Sequence, residues 1–215
     1  MTTPLARRIA PLWTALRIML ILTVVLGIGY PLLLLGIGQG VFPSQANGSL
    51  VHAADGRVAG SALIGQRFTG ADGAPLPEYF QPRPSAAGDG YDPTASAGSN
   101  LGPESPELSG QIRDRKQAIA EFNGVPEAAV PPDALTASGS GLDPHISARY
   151  ARYARLQAER VAVARGLPIG QVAALVAAAT APPDAGYLGE PRVNVVELNL
   201  ALDERDPAHA THARR

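Results

Sequence analysis

The chain has 215 residues, 19 acidic and 18 basic side chains, and a formal charge of -1. It contains no Cys, which excludes thiolate zinc sites, iron–sulfur clusters, cysteine nucleophiles and disulfide staples. The balance hides a division that excludes the dense basic footprint of a nucleic-acid binder: residues 1–41 hold three Arg and no acid, 42–107 seven acids against three bases, and 108–215 twelve of each.

The run from Ile18 to Val41 carries no Asp, Glu, Lys or Arg, and after Arg17 the next formal charge is Asp55. A helix of about 20 apolar residues crosses a hydrocarbon core of about 30 Å, so this run is long enough to span with some tilt. A greasy core helix is the other reading. Gly and Pro in such a segment are tolerated in lipid, and Pro31 is expected to bend it near the middle. Gly27 with Gly29, and Gly36 with Gly40, offer small-residue surfaces for another membrane helix. Arg7, Arg8 and Arg17 precede the run with no acid among them, which places the N-terminus in the cytoplasm and the remaining chain outside. The rival is a secretory signal peptide cleaved near Ser44-Gln45-Ala46, against which stands the length of the run. The chain then divides into a short cytoplasmic N-terminus (1–17), a transmembrane helix (18–41), an extracytoplasmic domain (42–202) and a flexible tail (203–215). No second run approaches spanning length. The fold class is α+β, one membrane helix followed by one mixed helix and strand domain.

Outside the span, Leu50-Val51 and Val58 read as two short strands around an Asp55-Gly56 turn. From Thr69 to Pro106 the chain is rich in Gly, Pro, Ser, Ala and Asp, with Tyr79, Phe80, Arg83, Tyr91, Asp92 and Asn100 spaced through it. A solvated, partly disordered loop is one reading. We read it as ordered, because aromatic residues and single charges embedded in Gly/Pro turns can fix a surface shape, and such a loop usually serves to bind a partner. A helix from Pro106 to Phe122 follows, capped by Ser105 and closed by Asn123-Gly124. Asp143 is placed to cap a helix opened by Pro144 and running to Arg165, with Gly166 closing it, Ile146, Tyr150, Tyr153, Gln157 and Val161 marking its spacing, and Arg149, Arg152 and Arg155 on a basic flank. A shorter helix spans Pro168 to Ala179. Arg192 to Leu202 alternates as a strand, with Val196, Leu198, Leu200 and Leu202 on one face.

Ser138, Ser140, Asp143 and His145 invite a hydrolase reading, but neither serine sits in a G-x-S-x-G elbow, and sequence neighbours rarely assemble a nucleophile with its base. Gly139-Ser140-Gly141 could cradle a phosphate, yet no Lys completes a Walker pattern, because the only Lys is Lys116. His209 and His212 alone make a poor metal site. No catalytic residue and no metal ligand is assigned. Tyr79, Phe80, Arg83, Tyr91, Asp92, Asn100, Ser138, Ser140, Asp143 and His145 are read as partner-binding or structural groups.

Several blocks in one order prompt a family resemblance: Tyr30-Pro31, Gln45 to Leu50, Gly60-Ser61 with Leu63 to Gln66, Tyr79-Phe80 with Arg83 to Ala86, Tyr91-Asp92, Gly98 to Pro103, Thr136 to Ser147, and Glu190 to Val195. In these the chain resembles, over almost its full length, the C subunit of the bacterial Kdp potassium-pumping P-type ATPase. Gly70 to Pro77 reads as a small insertion, and the tail as an extension. The resemblance implies a non-catalytic inner-membrane subunit needed for assembly, stability or activity of an ATP-driven potassium importer. Its partners would be a channel-like subunit, a P-type ATPase subunit and a small single-helix subunit. The family is also described as raising the pump's ATP affinity; ATP and Mg would be used by the catalytic partner, with no cofactor assigned to this chain. An anchored external ligand-binding module is the alternative, and a membrane-anchored hydrolase the weaker one.

Overall fold

A computed structural model describes residues 4–147 and 152–209. The chain divides into two units, residues 1–49 and 50–215. The first is helical: α1 (Pro4–Val24), a π-helical turn (Val25–Gly29), α2 (Tyr30–Val41) and a one-turn α3 (Pro43–Ala46). Ala10–Val41, 32 residues, is long and apolar enough to cross a membrane, and its most apolar stretch buries nothing within the chain. A core helix would be covered, so that alternative falls. Pro31 follows directly on the π turn, which widens the helix where the proline ring crowds the preceding carbonyls. At the far end Gln39 and Asn47 exchange side-chain amide hydrogen bonds of 3.3 and 3.1 Å, fixing the corner into α3.

In the second unit, β1 (Leu50–His52) and β2 (Val58–Ser61) form the expected antiparallel hairpin, with a bulge between Val51 and His52. Between Ser61 and Pro106 the chain makes only isolated bridges. Helix α4 (Pro106–Asn123) starts where Ser105 accepts from the Leu108 N–H and stops at left-handed Gly124, as the sequence predicts.

Two expectations are overturned. Asp143 opens no helix: His145–Ser147 is a strand, β3, and helix α5 covers Arg152–Arg165. Arg149 and Tyr150, assigned to the same helix, lie outside the described residues. β3 pairs antiparallel with β5 (Arg192–Asn194), His145 opposite Asn194 and Ile146 opposite Val193. Pairing across about fifty residues of chain overrides the local Asp-Pro start signal. Two-residue β4 (Thr180–Ala181) flanks the other edge of β5, and α6 (Ile169–Ala178) lies between α5 and β4 in the chain.

The second correction concerns the predicted strand from Arg192 to Leu202. Only its first three residues are extended; Val195–Arg205 is a helix, α7. Asn194 caps it, its Oδ1 accepting from the N–H groups of Val196 and Glu197. Val195, Leu198, Asn199 and Leu202 then follow helical spacing, and all are buried. The alternation was real, but a cap at Asn194 decided between two periods that both fit. Helix α7 also runs into the segment assigned to a flexible tail, where Asp203 is buried. His212 lies outside the described residues.

Helices α5, α6 and α7 and the three-stranded sheet share one core. Tyr153, Ala154, Ala158, Val161 and Ala162 present a buried stripe on α5, Val172 and Val176 face inward from α6, and Ile146 and Val193 come from the sheet. Ala at three of these α5 positions lets neighbouring backbones come close. Tyr79 and Phe80, from the long loop, are completely buried in the same core, with Phe68 stacked on Tyr79 at 5.3 Å between ring centroids.

Candidate functional site

The long loop has no ladder of its own, so its buried backbone groups need other partners. They find them in side-chain amides. Asn199 on α7 accepts from the Phe80 N–H and donates to the Phe80 carbonyl, both at 2.9 Å. Gln157 on α5 does the same for Gln81, accepting at 2.7 Å and donating at 3.0 Å. Each amide imitates a strand neighbour, and together they hold two consecutive loop residues between two helices. The Gln81 side chain in turn donates to the carbonyls of Phe68 and Leu76.

Two arginines of α5 complete the fastening. Arg165 is fully buried; it donates to the Glu78 carbonyl and to Asp203 Oδ1, each at 2.7 Å, and lies over the Tyr79 ring. The Tyr79 hydroxyl donates to the other Asp203 oxygen at 3.1 Å. Arg160 donates to the carbonyls of Pro77 and Tyr79, to Gln157 Oε1 and to Asn123 Oδ1, and covers the Phe122 ring. Burial lowers its guanidinium to about 10, still cationic at neutral pH.

A third cluster reaches the surface. Arg83 donates twice to the Thr136 carbonyl and stands 3.5 Å from Asp143 Oδ2. Asp143 Oδ1 accepts from the His145 N–H and lies 3.0 Å from His145 Nδ1. Burial pushes the Asp143 carboxyl up, but the His145 bonds and the Arg83 charge outweigh it and hold the group below its usual range. The Tyr91 hydroxyl donates to the Arg83 carbonyl at 2.9 Å, and burial raises its phenol. Ser85 Oγ donates to the Gly141 carbonyl and accepts from the N–H groups of Ala87 and Tyr91. The approach is close enough to require glycine twice. A Cβ on Gly65 would sit 2.4 Å from Tyr91 Cε1, and one on Gly141 would sit 2.6 Å from the Ala97 carbonyl oxygen.

Beside these clusters opens a cavity of about 390 Å³. Arg67, Arg83 and Arg115 line it together with Gln81, Tyr91 and Tyr153. Arg67 donates to the Asp89 carbonyl and Arg115 to the Leu135 carbonyl, so these guanidiniums also hold loop backbone in place.

The structure thus brings Arg83, Tyr91, Asp143 and His145 together and separates them from Tyr79 and Phe80, which belong to the core. Asp92 turns its carboxylate onto the Thr94 hydroxyl and N–H, which keep it below the ordinary carboxylate range. Asn100 is exposed in the left-handed region with φ 53°. Ser138 and Ser140 point their hydroxyls at one another across 3.5 Å, and Ser140 Oγ accepts from the Leu142 N–H. Among the described residues no hydrogen bond joins either serine to His145, so the components of a nucleophilic relay are not assembled. The Ser140 carbonyl is taken by Ala97 N–H and Ser96 Oγ, and the turn that might have cradled a phosphate leads into a strand. Gly36 and Gly40 have no atom within 4 Å of an added Cβ, whereas Gly27 and Gly29 have one each, at 3.9 and 3.7 Å. Sequence reasoning missed Gln81, Arg165, Asn199 and Asp203. For Asn199 and Asp203 the signal is a polar residue on an otherwise apolar helical stripe, legible only once α7 is seen to be a helix. Arg165 ends the buried stripe of α5, and Gln81 lies in the loop with no periodic signal.

Residues 12–204 match the family described as K+-transporting ATPase, c chain (KdpC). Three curated relatives are each described as a potassium-transporting ATPase KdpC subunit. The one from Beijerinckia indica is 52% identical over 88% of this chain and 91% of its own length. The one from Kineococcus radiotolerans is 53% identical over 90% and 93%, and that from Caulobacter vibrioides 51% over 92% and 94%.

Proposed function

Since the chain belongs to the KdpC family, we propose that it is the non-catalytic C subunit of an ATP-driven potassium import complex, acting as a membrane-anchored clamp on its partners. The observation that carries this reading is the pairing of an uncovered spanning helix with a domain whose interior polar groups are spent on holding one long loop. The helix supplies tethering and an intramembrane contact. The loop, fixed by Asn199, Gln157 and Arg165, presents a rigid outer surface around Arg83, Asp143 and His145, backed by the buried Tyr91. Rigid surfaces of this kind bind with little ordering cost.

In this reading Arg7, Arg8 and Arg17 keep the N-terminus cytoplasmic and the domain lies outside. The channel-like subunit, the ATPase subunit and the small single-helix subunit are the partners, and Gly36 and Gly40 form part of the helix interface. Potassium and ATP are handled by the partners. A lone helix without a carboxylate offers no ion path, and an external domain lies across the membrane from ATP. The test is potassium-stimulated ATP turnover of the purified complex with and without this chain, subunit content being measured on the same sample. Loss of turnover is expected; normal turnover in an otherwise intact complex refutes the assignment.

A further inference from the structure

The π turn and Pro31 together remove both ladder donors that the helix would offer the Leu26 carbonyl, at a depth where lipid offers none. The Tyr30 N–H, which would serve the Leu26 carbonyl in an α-helix, donates to Val25 instead. The next donor along, the one a π-helical bond to Leu26 would need, belongs to residue 31, and residue 31 is proline. The Leu26 carbonyl is therefore outside the helix's own ladder. It sits at the centre of Ala10–Val41. Counted from the charge-free run 18–41 it is still only about 5 Å from the middle.

Two neighbouring features point the same way. Gly27 and Gly29 flank the carbonyl, yet a Cβ at either would meet only ordinary contacts, at 3.9 and 3.7 Å, and Gly29 has helical φ and ψ of -60° and -49°. Among the described residues nothing requires glycine there, and glycine is a costly helix residue. Tyr30, 55% exposed, carries a hydroxyl into the middle of the span, where tyrosine is otherwise placed at interfaces. A bare backbone, an open acceptor and a polar side chain occupy five consecutive residues.

We infer that the π turn at Val25–Gly29 is a docking point for a partner membrane helix that brings a hydrogen-bond donor, a hydroxyl or amide side chain, to the Leu26 carbonyl. This rests on the reading of the chain as a membrane-complex subunit. The small residues let the partner backbone approach, and the donor replaces the bond that Pro31 removes. Within the same helix, Thr14 and Thr23 already donate their hydroxyls to carbonyls four residues back, Ala10 and Met19, at 3.0 and 2.7 Å. The partner supplies at Leu26 what the helix's own ladder, with Tyr30 diverted and Pro31 lacking an N–H, does not.

That precedent gives the experiment. In Tyr30→Thr the new hydroxyl reaches the carbonyl four residues back and satisfies Leu26 internally, while isosteric Tyr30→Val cannot. Pro31→Ala restores the missing N–H and strengthens the helix by itself. Each full-length variant is expressed with its partner subunits and solubilised in a mild detergent with a fixed fraction of denaturing detergent. The bound-to-free ratio of the chain is read by affinity capture of a partner. Tyr30→Thr is expected to fall below Tyr30→Val, and Pro31→Ala below the parent, by roughly 3- to 20-fold, the range measured for hydrogen bonds between membrane helices. Equal ratios within both pairs, with the parent captured normally, overturn the inference alone. Failure of the parent chain to be captured with any membrane subunit overturns the subunit reading and the inference with it.

Discussion

Arg165 shows how much a single side chain carries. Its guanidinium is buried, bridges Glu78 and Asp203, and covers Tyr79, while its Nη1 has no hydrogen-bond partner and only a 3.9 Å approach to Asp206. Arg165→Met keeps much of the stem but strands the Asp203 carboxylate, and is expected to cost about 3–5 kcal/mol in denaturant unfolding. Adding Asp203→Asn should recover part of that loss; a double variant no better than the single one removes the ion pair as the cause. Asp143 is the surface counterpart. Because its folded-state pKa is depressed, its stabilisation is present above the ordinary carboxylate value of 3.8 and is lost as pH falls through the folded value. Asp143→Asn keeps an acceptor for the His145 N–H, loses the Arg83 attraction, and is expected to flatten the acid limb of the unfolding curve. An unchanged limb would place the acid sensitivity elsewhere.

Among the elements, α7 depends on its first residue. Asn194 accepts from Val196 and Glu197 and donates to the Ala62 carbonyl at 2.8 Å, so one side chain starts a helix and ties it to the residue that follows β2. Asn194→Ala is expected to destabilise the domain by about 0.5–2 kcal/mol, and Asn194→Asp by less, since the carboxylate still caps. Equal losses in thermal unfolding would mean that the Ala62 bond, and not the cap, dominates. Gly65→Ala tests the loop against the β3 approach. Its Cβ cannot coexist with Tyr91 as placed, and overpacking of this kind costs about 1–3 kcal/mol. Tyr91→Ala in the same background should relieve the clash and lower the penalty of the glycine change.

At the scale of the whole molecule, the chain divides into a helical unit and a domain. Gly36 and Gly40 have open space around an added Cβ, so Gly36→Leu with Gly40→Leu is expected to leave the isolated chain intact and to act through the helix interface proposed for these residues. The expected result is a lower yield of assembled complex with the chain still in the membrane; full yield would remove this face from the interface. A soluble piece comprising residues 45–215 is expected to restore little potassium-stimulated ATP turnover to a complex lacking this chain, because tethering supplies effective concentration.

What the sequence determined by itself was everything governed by neighbours in the chain. The spanning run follows from uninterrupted apolar composition, the β1–β2 hairpin from Asp55-Gly56, and α4 from Ser105 and Gly124. The family followed from ordered blocks such as Tyr79-Phe80 and Thr136 to Ser147. The tertiary structure alone decided the segments for which two local rules competed. Asp143-Pro144 could open a helix, yet β3 is drawn into the sheet by residues 192–194. Val195 to Leu202 could alternate as a strand, yet the Asn194 cap and a core on one side make it α7. Only that choice turns Asn199 and Asp203 inward, and so only the fold reveals what holds the long loop. The physical reason is distance: Phe80 meets Asn199 and Gln81 meets Gln157 across 119 and 76 residues of chain, and no local pattern encodes a partner that far away.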